Sequence, residues 1–239
     1  EQLNASVKCF KKAISFDQNY AEAYYNLGSS LQALNQPDKA LIQYKKALSI
    51  KPNYAEAQNN LGIIFKEQGK LDEAAMFYKS ALIIKPEYAE AQNNLGNVLK
   101  SLGRPYEAVK CYKKTISIKP NYAEAYNNLG ITLMQLGQLD ESVKSYGEAI
   151  TINLDYAEAH NNLGIVLNML GLLEESVKSY EMALAIKPDY AEAHSNLGNL
   201  MVDLKKLDDA VANYGYAFSL KPQIAFNSVS YTHLRAHET

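Results

Sequence analysis

Six asparagines, Asn26, Asn60, Asn94, Asn128, Asn162 and Asn196, stand at intervals of 34 residues. A side-chain amide carries two N–H donors and a carbonyl acceptor, so it can pair with the N–H and C=O of an extended peptide without reading that peptide's side chains. Placed once per structural layer, six such groups form a ladder that binds backbone and binds it permissively. The same amides have a structural alternative, capping or cross-linking adjacent layers, and the sequence leaves both readings open. Asparagine is a mediocre helix former, so a row of them in mid-helix runs against local propensity. Other chemistry is missing: there is no glycine-rich phosphate loop, no paired-cysteine ligand set and no nucleophile with a base at defined spacing. The chain reads as non-catalytic, with no cofactor and no metal.

The elements that must position these amides carry the same period. Tyr-Ala-Glu-Ala opens each unit, Asn-Leu-Gly follows and, in most, Lys-Pro comes near the end. The first alanines are Ala21, Ala55, Ala89, Ala123, Ala157 and Ala191, and no residue is inserted or lost between them. The six units run 21–54, 55–88, 89–122, 123–156, 157–190 and 191–224. A fixed period of this size marks supersecondary modules that cannot bury their apolar faces alone and must stack. Within 89–122, Ala91, Leu95, Val98, Leu99 and Leu102 fall on one helical stripe, which breaks at Gly103 and Arg104. Pro105 opens a second helix, with Glu107 at its positive end, a stripe of Ala108, Val109, Tyr112, Ile116 and Ile118, then Lys119 and the stop at Pro120. Gly96 lies at the stripe's edge. It costs about 1 kcal/mol of helix propensity, which points to two helix backbones approaching closely there. The fold class is therefore all-α, a solenoid of 34-residue helix-turn-helix units.

Composition narrows the function classes. The chain is 47% hydrophobic and 21% charged with net charge −2, which fits neither a disordered tail nor a basic nucleic-acid binder. The longest near-apolar stretch, Leu163 to Leu173, is interrupted by Asn168 and is about half the roughly 20 residues a membrane span needs. No span and no cleavable signal are visible. Cys9 and Cys111 share one phase of the repeat three units apart, roughly 30 Å against the ~6 Å a disulfide needs. They are expected to be buried or half-buried thiols in a reducing compartment, which favours the cytoplasm.

Leu95, Gly96, Leu99, Ala108, Tyr112 and Pro120, repeated in five more registers over residues 21–224 with a partial unit before them, resemble the tetratricopeptide repeat. Departures are local. The aromatic favoured at the fourth position is Tyr24 and Tyr126, but Gln58, Gln92, His160 and His194 elsewhere; Leu154 replaces the usual proline, and Ser142 and Ser176 replace alanine. The resemblance implies a right-handed superhelix whose first helices line a concave groove and whose second helices form the outer wall. Directing the apolar stripe of each first helix at the neighbouring layers leaves positions two, five, nine, twelve and thirteen on the open side, with position six at its flank. Position five is Asn59, Asn93, Asn127 and Asn161, with Tyr25 and Ser195 at the ends. Position nine alternates between Asn97 or Asn199 and Ile63, Ile131 and Ile165, a mixed apolar and amide lining. Lys66 and Lys100 at position twelve match the paired-lysine clamp that some members of the family use for a carboxylate terminus. Glu67 beside them, and Glu56, Glu90 and Glu124 at position two, weigh against it; those last three read as first-turn acids complementing the helix dipole.

Two functions follow. One is a scaffold holding a protein or peptide partner's extended segment in the groove, through Asn26, Asn60, Asn94, Asn128, Asn162, Asn196, Asn97 and Asn199, with Lys66 and Lys100 as the clamp. The other rests on the repeated Asn-Leu-Gly, which resembles arrays preceding the catalytic region of protein O-linked N-acetylglucosamine transferases and Spindly-type relatives, where position-six asparagines hold acceptor peptides. The chain would then be the substrate-selecting arm of a larger enzyme. Tyr44, Tyr78, Tyr112, Tyr146, Tyr180 and Tyr214 read as packing, and Tyr54 and Tyr88 as staples of the inter-unit turn. Lys45-Lys46 and Lys113-Lys114 read as a solvated outer face; RNA binding would need aromatic platforms and a positive balance. Residues 1–20 read as a lone second helix whose Val7, Phe10, Ala13 and Phe16 face a missing first helix. Residues 225–228 begin a seventh unit that stops. Residues 229–239 resemble the translation of a transposase-type sequencing adapter and are set aside, His233 and His237 with them. Uncapped ends offer a route to self-association.

Overall fold

The computed structural model describes residues 2–225; the seventh-unit start beyond Ala225 and the tail from Val229 lie outside the described residues. Among the described residues the chain is helical throughout, without a strand. A lone helix α1 (Gln2–Phe16) precedes six hairpins. Their first helices are 13 residues long: α2 (Ala21–Ala33), α4 (Ala55–Glu67), α6 (Ala89–Ser101), α8 (Ala123–Gln135), α10 (Ala157–Met169) and α12 (Ala191–Asp203). Their second helices are 14 residues long: α3 (Pro37–Ile50), α5 (Leu71–Ile84), α7 (Pro105–Ile118), α9 (Leu139–Ile152), α11 (Leu173–Ile186) and α13 (Leu207–Leu220). A short α14 (Pro222–Ala225) follows.

The turn inside each hairpin is set by one backbone conformation. Gly103 adopts φ +72° just past α6, and the Arg104 N–H reaches back to the Leu99 carbonyl at 2.9 Å while the Gly103 N–H takes the Lys100 carbonyl at 3.0 Å. This is the paired capping that satisfies a helix's last carbonyls and needs a left-handed residue at that point. Asn35 and Lys205 hold the same conformation in the first and last hairpins, asparagine at little cost and lysine at more.

The described residues form two compact units, divided between Pro120 and Asn121. In the first, α2 packs on α3, α4 on α5 and α6 on α7, and α3 and α5 also touch the next first helix. In the second, α8, α10 and α12 pair with α9, α11 and α13, and α9 and α11 make the link to the next hairpin. The core of each hairpin is a tyrosine seated on a glycine. Tyr44, Tyr78, Tyr112, Tyr146 and Tyr214 have no exposed surface, and a Cβ on Gly96 would lie 2.7 Å from Cε1 of Tyr112. The close approach at Gly96 is thus ring against backbone rather than backbone against backbone.

Two sequence expectations change. Cys9 is exposed and only Cys111 is buried, where burial raises its thiol pKa to about 11, an unreactive state. Val7, Phe10 and Ile14 of α1 are partly buried against the cluster that holds Leu27, Leu31 and Tyr44, with α1 seated on α2, while Phe16 is 80% exposed.

Candidate functional site

The position-six asparagines lie half-buried along the first helices, but the residue before each of the middle ones is the deeper. Asn59, Asn93, Asn127 and Asn161 retain 1–5% of their surface. Position five was expected on the open side. It is instead inside, because a fully hydrogen-bonded amide can be buried at little cost and each helix is packed on two sides. Asn94 Nδ2 donates to Asn59 Oδ1 at 3.2 Å, Asn162 to Asn127 at 3.1 Å and Asn196 to Asn161 at 3.0 Å. Position six of one layer thus bonds position five of the layer before.

Within a layer the amides join again, Asn59 Nδ2 to Asn60 Oδ1 at 3.3 Å and Asn161 Nδ2 to Asn162 Oδ1 at a long 3.5 Å. In the second unit this produces a continuous zigzag, Asn196 to Asn161 to Asn162 to Asn127. In the first, Asn94 leads through Asn59 to Asn60, which donates to the Tyr44 hydroxyl at 3.1 Å and more weakly to that of Tyr25 at 3.5 Å. Asn128 Nδ2 approaches Glu124 at 3.5 Å. Asn26, in α2, is half-buried at the same phase. Each interlayer bond contributes about 0.5–1.5 kcal/mol and fixes an amide in one orientation. An amide has two N–H donors and two acceptor lone pairs, so an interlayer bond leaves capacity at the half-buried row.

Position nine serves the buried tyrosines. The Tyr112 hydroxyl donates to Asn97 Oδ1 and that of Tyr214 to Asn199 Oδ1, both at 2.7 Å; Tyr44 uses Ser29 at 3.2 Å and Gln32 at 3.0 Å. Where position nine is isoleucine the hydroxyl loses this acceptor. Tyr78 beside Ile63 and Tyr146 beside Ile131 are buried with no hydrogen-bond partner at the hydroxyl, and burial pushes both phenols far above their ordinary range. At Asn97, Asn199, Ile63 and Ile131 the alternation read as groove lining is therefore, on its inner side, a pattern of satisfied and unsatisfied tyrosines.

Lys66 and Lys100 sit half-buried at the same phase of α4 and α6. Desolvation lowers the pKa of the Lys100 ammonium, so an anion placed against it would be held more strongly than on open surface. The position-two glutamates do more than complement a dipole: Glu22, Glu56, Glu90 and Glu192 bond Lys51, Lys85, Lys119 and Lys221 at 2.7, 3.2, 3.1 and 2.7 Å. Each closes the open end of its own hairpin. Lys51 and Lys85 also lie over the rings of Tyr54 and Tyr88, at 4.6 and 4.7 Å. The unit 123–156 has Asn153 in place of that lysine, and its Leu154 is 73% exposed.

Sequence reasoning placed the position-five amides on the open side and missed the glutamate–lysine clasp. Both signals were present, at a fixed 35-residue and 29-residue separation, but only the packed hairpins and their stacking show which residues meet.

Comparison with known families follows this geometry. A model described as "TPR repeat" matches residues 1–35, 62–103, 96–137, 132–171 and 169–205, and two described as "Tetratricopeptide repeat" match 21–54 and 43–75. The chain belongs to the tetratricopeptide repeat family. No curated protein matches it in sequence. Among solved structures it is similar to YrrB, described as a TPR protein with an unusual peptide-binding site, at 26% identity over 84% of this chain and 99% of YrrB, TM-score 0.67. It is also similar to MamA, at 27% identity over 69% of this chain and 96% of MamA, TM-score 0.63. PilF of Pseudomonas aeruginosa shares the fold at 20% identity over 92% and 98% of the two chains, TM-score 0.78. The tetratricopeptide array is an all-α solenoid and a repeat scaffold for protein interaction. No helix among the described residues is long and apolar enough to cross a membrane.

Proposed function

We propose that this tetratricopeptide protein acts without catalysis, holding an extended segment of a partner along its first helices. The carrying observation is the half-buried position-six row, whose amides at Asn94, Asn162 and Asn196 are held in orientation by bonds to the preceding layer. Preorganised amides lose little entropy when a peptide backbone pairs with their remaining donors and acceptors. Asn97 and Asn199, anchored to tyrosines, and Lys66 and Lys100 flank that row and would read side chains or a carboxylate. The similarity to YrrB, itself described as having a peptide-binding site, supports the reading.

The test is a peptide-array screen of the full chain beside two variants. Asn94→Ala/Asn128→Ala/Asn162→Ala removes row-six amides; Asn59→Ala/Asn127→Ala/Asn161→Ala removes only the buried amides that anchor Asn94, Asn162 and Asn196. Loss of capture in the first variant with partial retention in the second, both still helical by circular dichroism, is the expected result. Undiminished capture by the first variant would show that the row is structural only.

A further inference from the structure

The near-neutral net charge of this chain conceals two opposite halves. Residues 1–120 carry 17 lysines and arginines against 11 acids, net +6, and residues 121–239 carry 7 against 15, net −8. Most of the segregation sits on the second helices, where α5 nonetheless opens with the acidic pair Asp72-Glu73 and α9 and α11 carry Lys144 and Lys178. In the first unit Lys11, Lys45, Lys79 and Lys113 recur at one phase of α1, α3, α5 and α7, and all but Lys79 are followed by another lysine. In the second unit the first turns of α9, α11 and α13 carry the acidic pairs Asp140-Glu141, Glu174-Glu175 and Asp208-Asp209. All these side chains are exposed. Among the described residues none forms an ion pair within 4 Å.

We infer that the basic second-helix face of the first unit docks the acidic second-helix face of the second unit of another copy. Three observations commit the surface to a second copy. The complementary charge is on the chain itself, in nearly equal amount. Both rows are generated by the same 34-residue period, so charges recur at the same layer-to-layer spacing of about 10 Å and can register layer by layer. The chain's net charge of −2 gives no bulk attraction to a polyanion, so nucleic acid or an anionic membrane would have to overcome the acidic half. This surface is separate from the first-helix face and independent of the peptide reading.

The experiment is sedimentation velocity of the full chain over a concentration series at about 20 mM and about 500 mM salt, conditions that bracket strong and weak screening. A weight-average mass that climbs with concentration at low salt, and an apparent Kd weakened at least about tenfold at high salt, is expected. Lys45→Glu/Lys79→Glu/Lys113→Glu should be monomeric at low salt, as should Glu141→Lys/Glu175→Lys/Asp209→Lys. An equimolar mixture of the two should associate again, since each supplies the charge the other lacks. A monomer at low salt overturns the inference, as does association that survives high salt or the lysine variant, or a mixture of two folded variants that stays apart. The lysine substitutions are exposed and mid-helix, so that variant alone keeps the proposal falsifiable should the acidic-row variant unfold.

Discussion

Replacing Tyr112 and Tyr78 by phenylalanine, one at a time, should destabilise the protein only at Tyr112. Both rings are fully buried and both rest against a helix glycine, Gly96 and Gly62, so deleting either hydroxyl leaves packing unchanged. The difference lies at position nine. Tyr112 donates to Asn97 at 2.7 Å; removing that donor loses a short hydrogen bond and strands a half-buried carbonyl, a loss of about 1–1.5 kcal/mol. The Tyr78 hydroxyl is buried with no partner, a state that costs about 1–3 kcal/mol in the folded protein, so its removal should be neutral or stabilising by up to about 1 kcal/mol. For a chain of this size each kcal/mol moves the melting temperature by about 2–4 °C. Circular dichroism melts therefore read a fall of a few degrees for Tyr112→Phe and no fall for Tyr78→Phe. Because repeat arrays depart from two-state behaviour, urea titrations fitted with nearest-neighbour coupling should accompany the melts. Equal losses in the two variants would refute the assignment of position nine as the tyrosines' acceptor site. Ile63→Asn supplies the complementary check, since it should create the bond that Asn97 makes and recover stability at Tyr78.

Gly96→Ala should destabilise by about 1–3 kcal/mol despite better helix propensity, because its Cβ would stand 2.7 Å from the Tyr112 ring. Gly147→Ala, with no atom within 4 Å of its Cβ in the middle of α9, should stabilise by about 0.5–1 kcal/mol; a melt of each decides it. A double-mutant cycle on Asn94 and Asn59 should return a coupling of about 0.5–1.5 kcal/mol in urea denaturation, and additive effects would deny the interlayer bond. The clasps predict an acid limb. Glu22 and Glu192 are held below the ordinary 4.5, chiefly by the hydrogen bonds from Lys51 and Lys221. A depressed folded pKa stabilises above the unfolded value, and that contribution is lost as pH falls through the folded pKa. The melting-temperature gap between the wild type and Lys51→Met/Lys221→Met should thus be small but present at about pH 7, given about 0.2–1 kcal/mol per exposed pair, and should close as the pH falls through the folded pKa values. A gap unchanged by acid would contradict the pairing.

Much was legible in the chain because periodicity and punctuation are local. An unbroken 34-residue spacing with Gly103 between two apolar stripes dictates paired helices and a left-handed turn, and no other fold reconciles those signals. The recurrence of Tyr112 and Gly96 at fixed phases likewise marked packing positions before any contact was known. What sequence could not decide was which side of a helix is inside when both flanks are covered. Asn59 and Asn60 are adjacent and chemically identical, yet one is buried and the other half-buried, because stacking sets the Asn94 amide on Asn59 across a 35-residue gap. Exposed or hidden, Asn97 looks the same until the Tyr112 hydroxyl is seen to reach it, and Ile63 looks like lining until it is seen to deny Tyr78 a partner. Spacing along a chain determines which residues share a face; only the packed layers determine what that face meets.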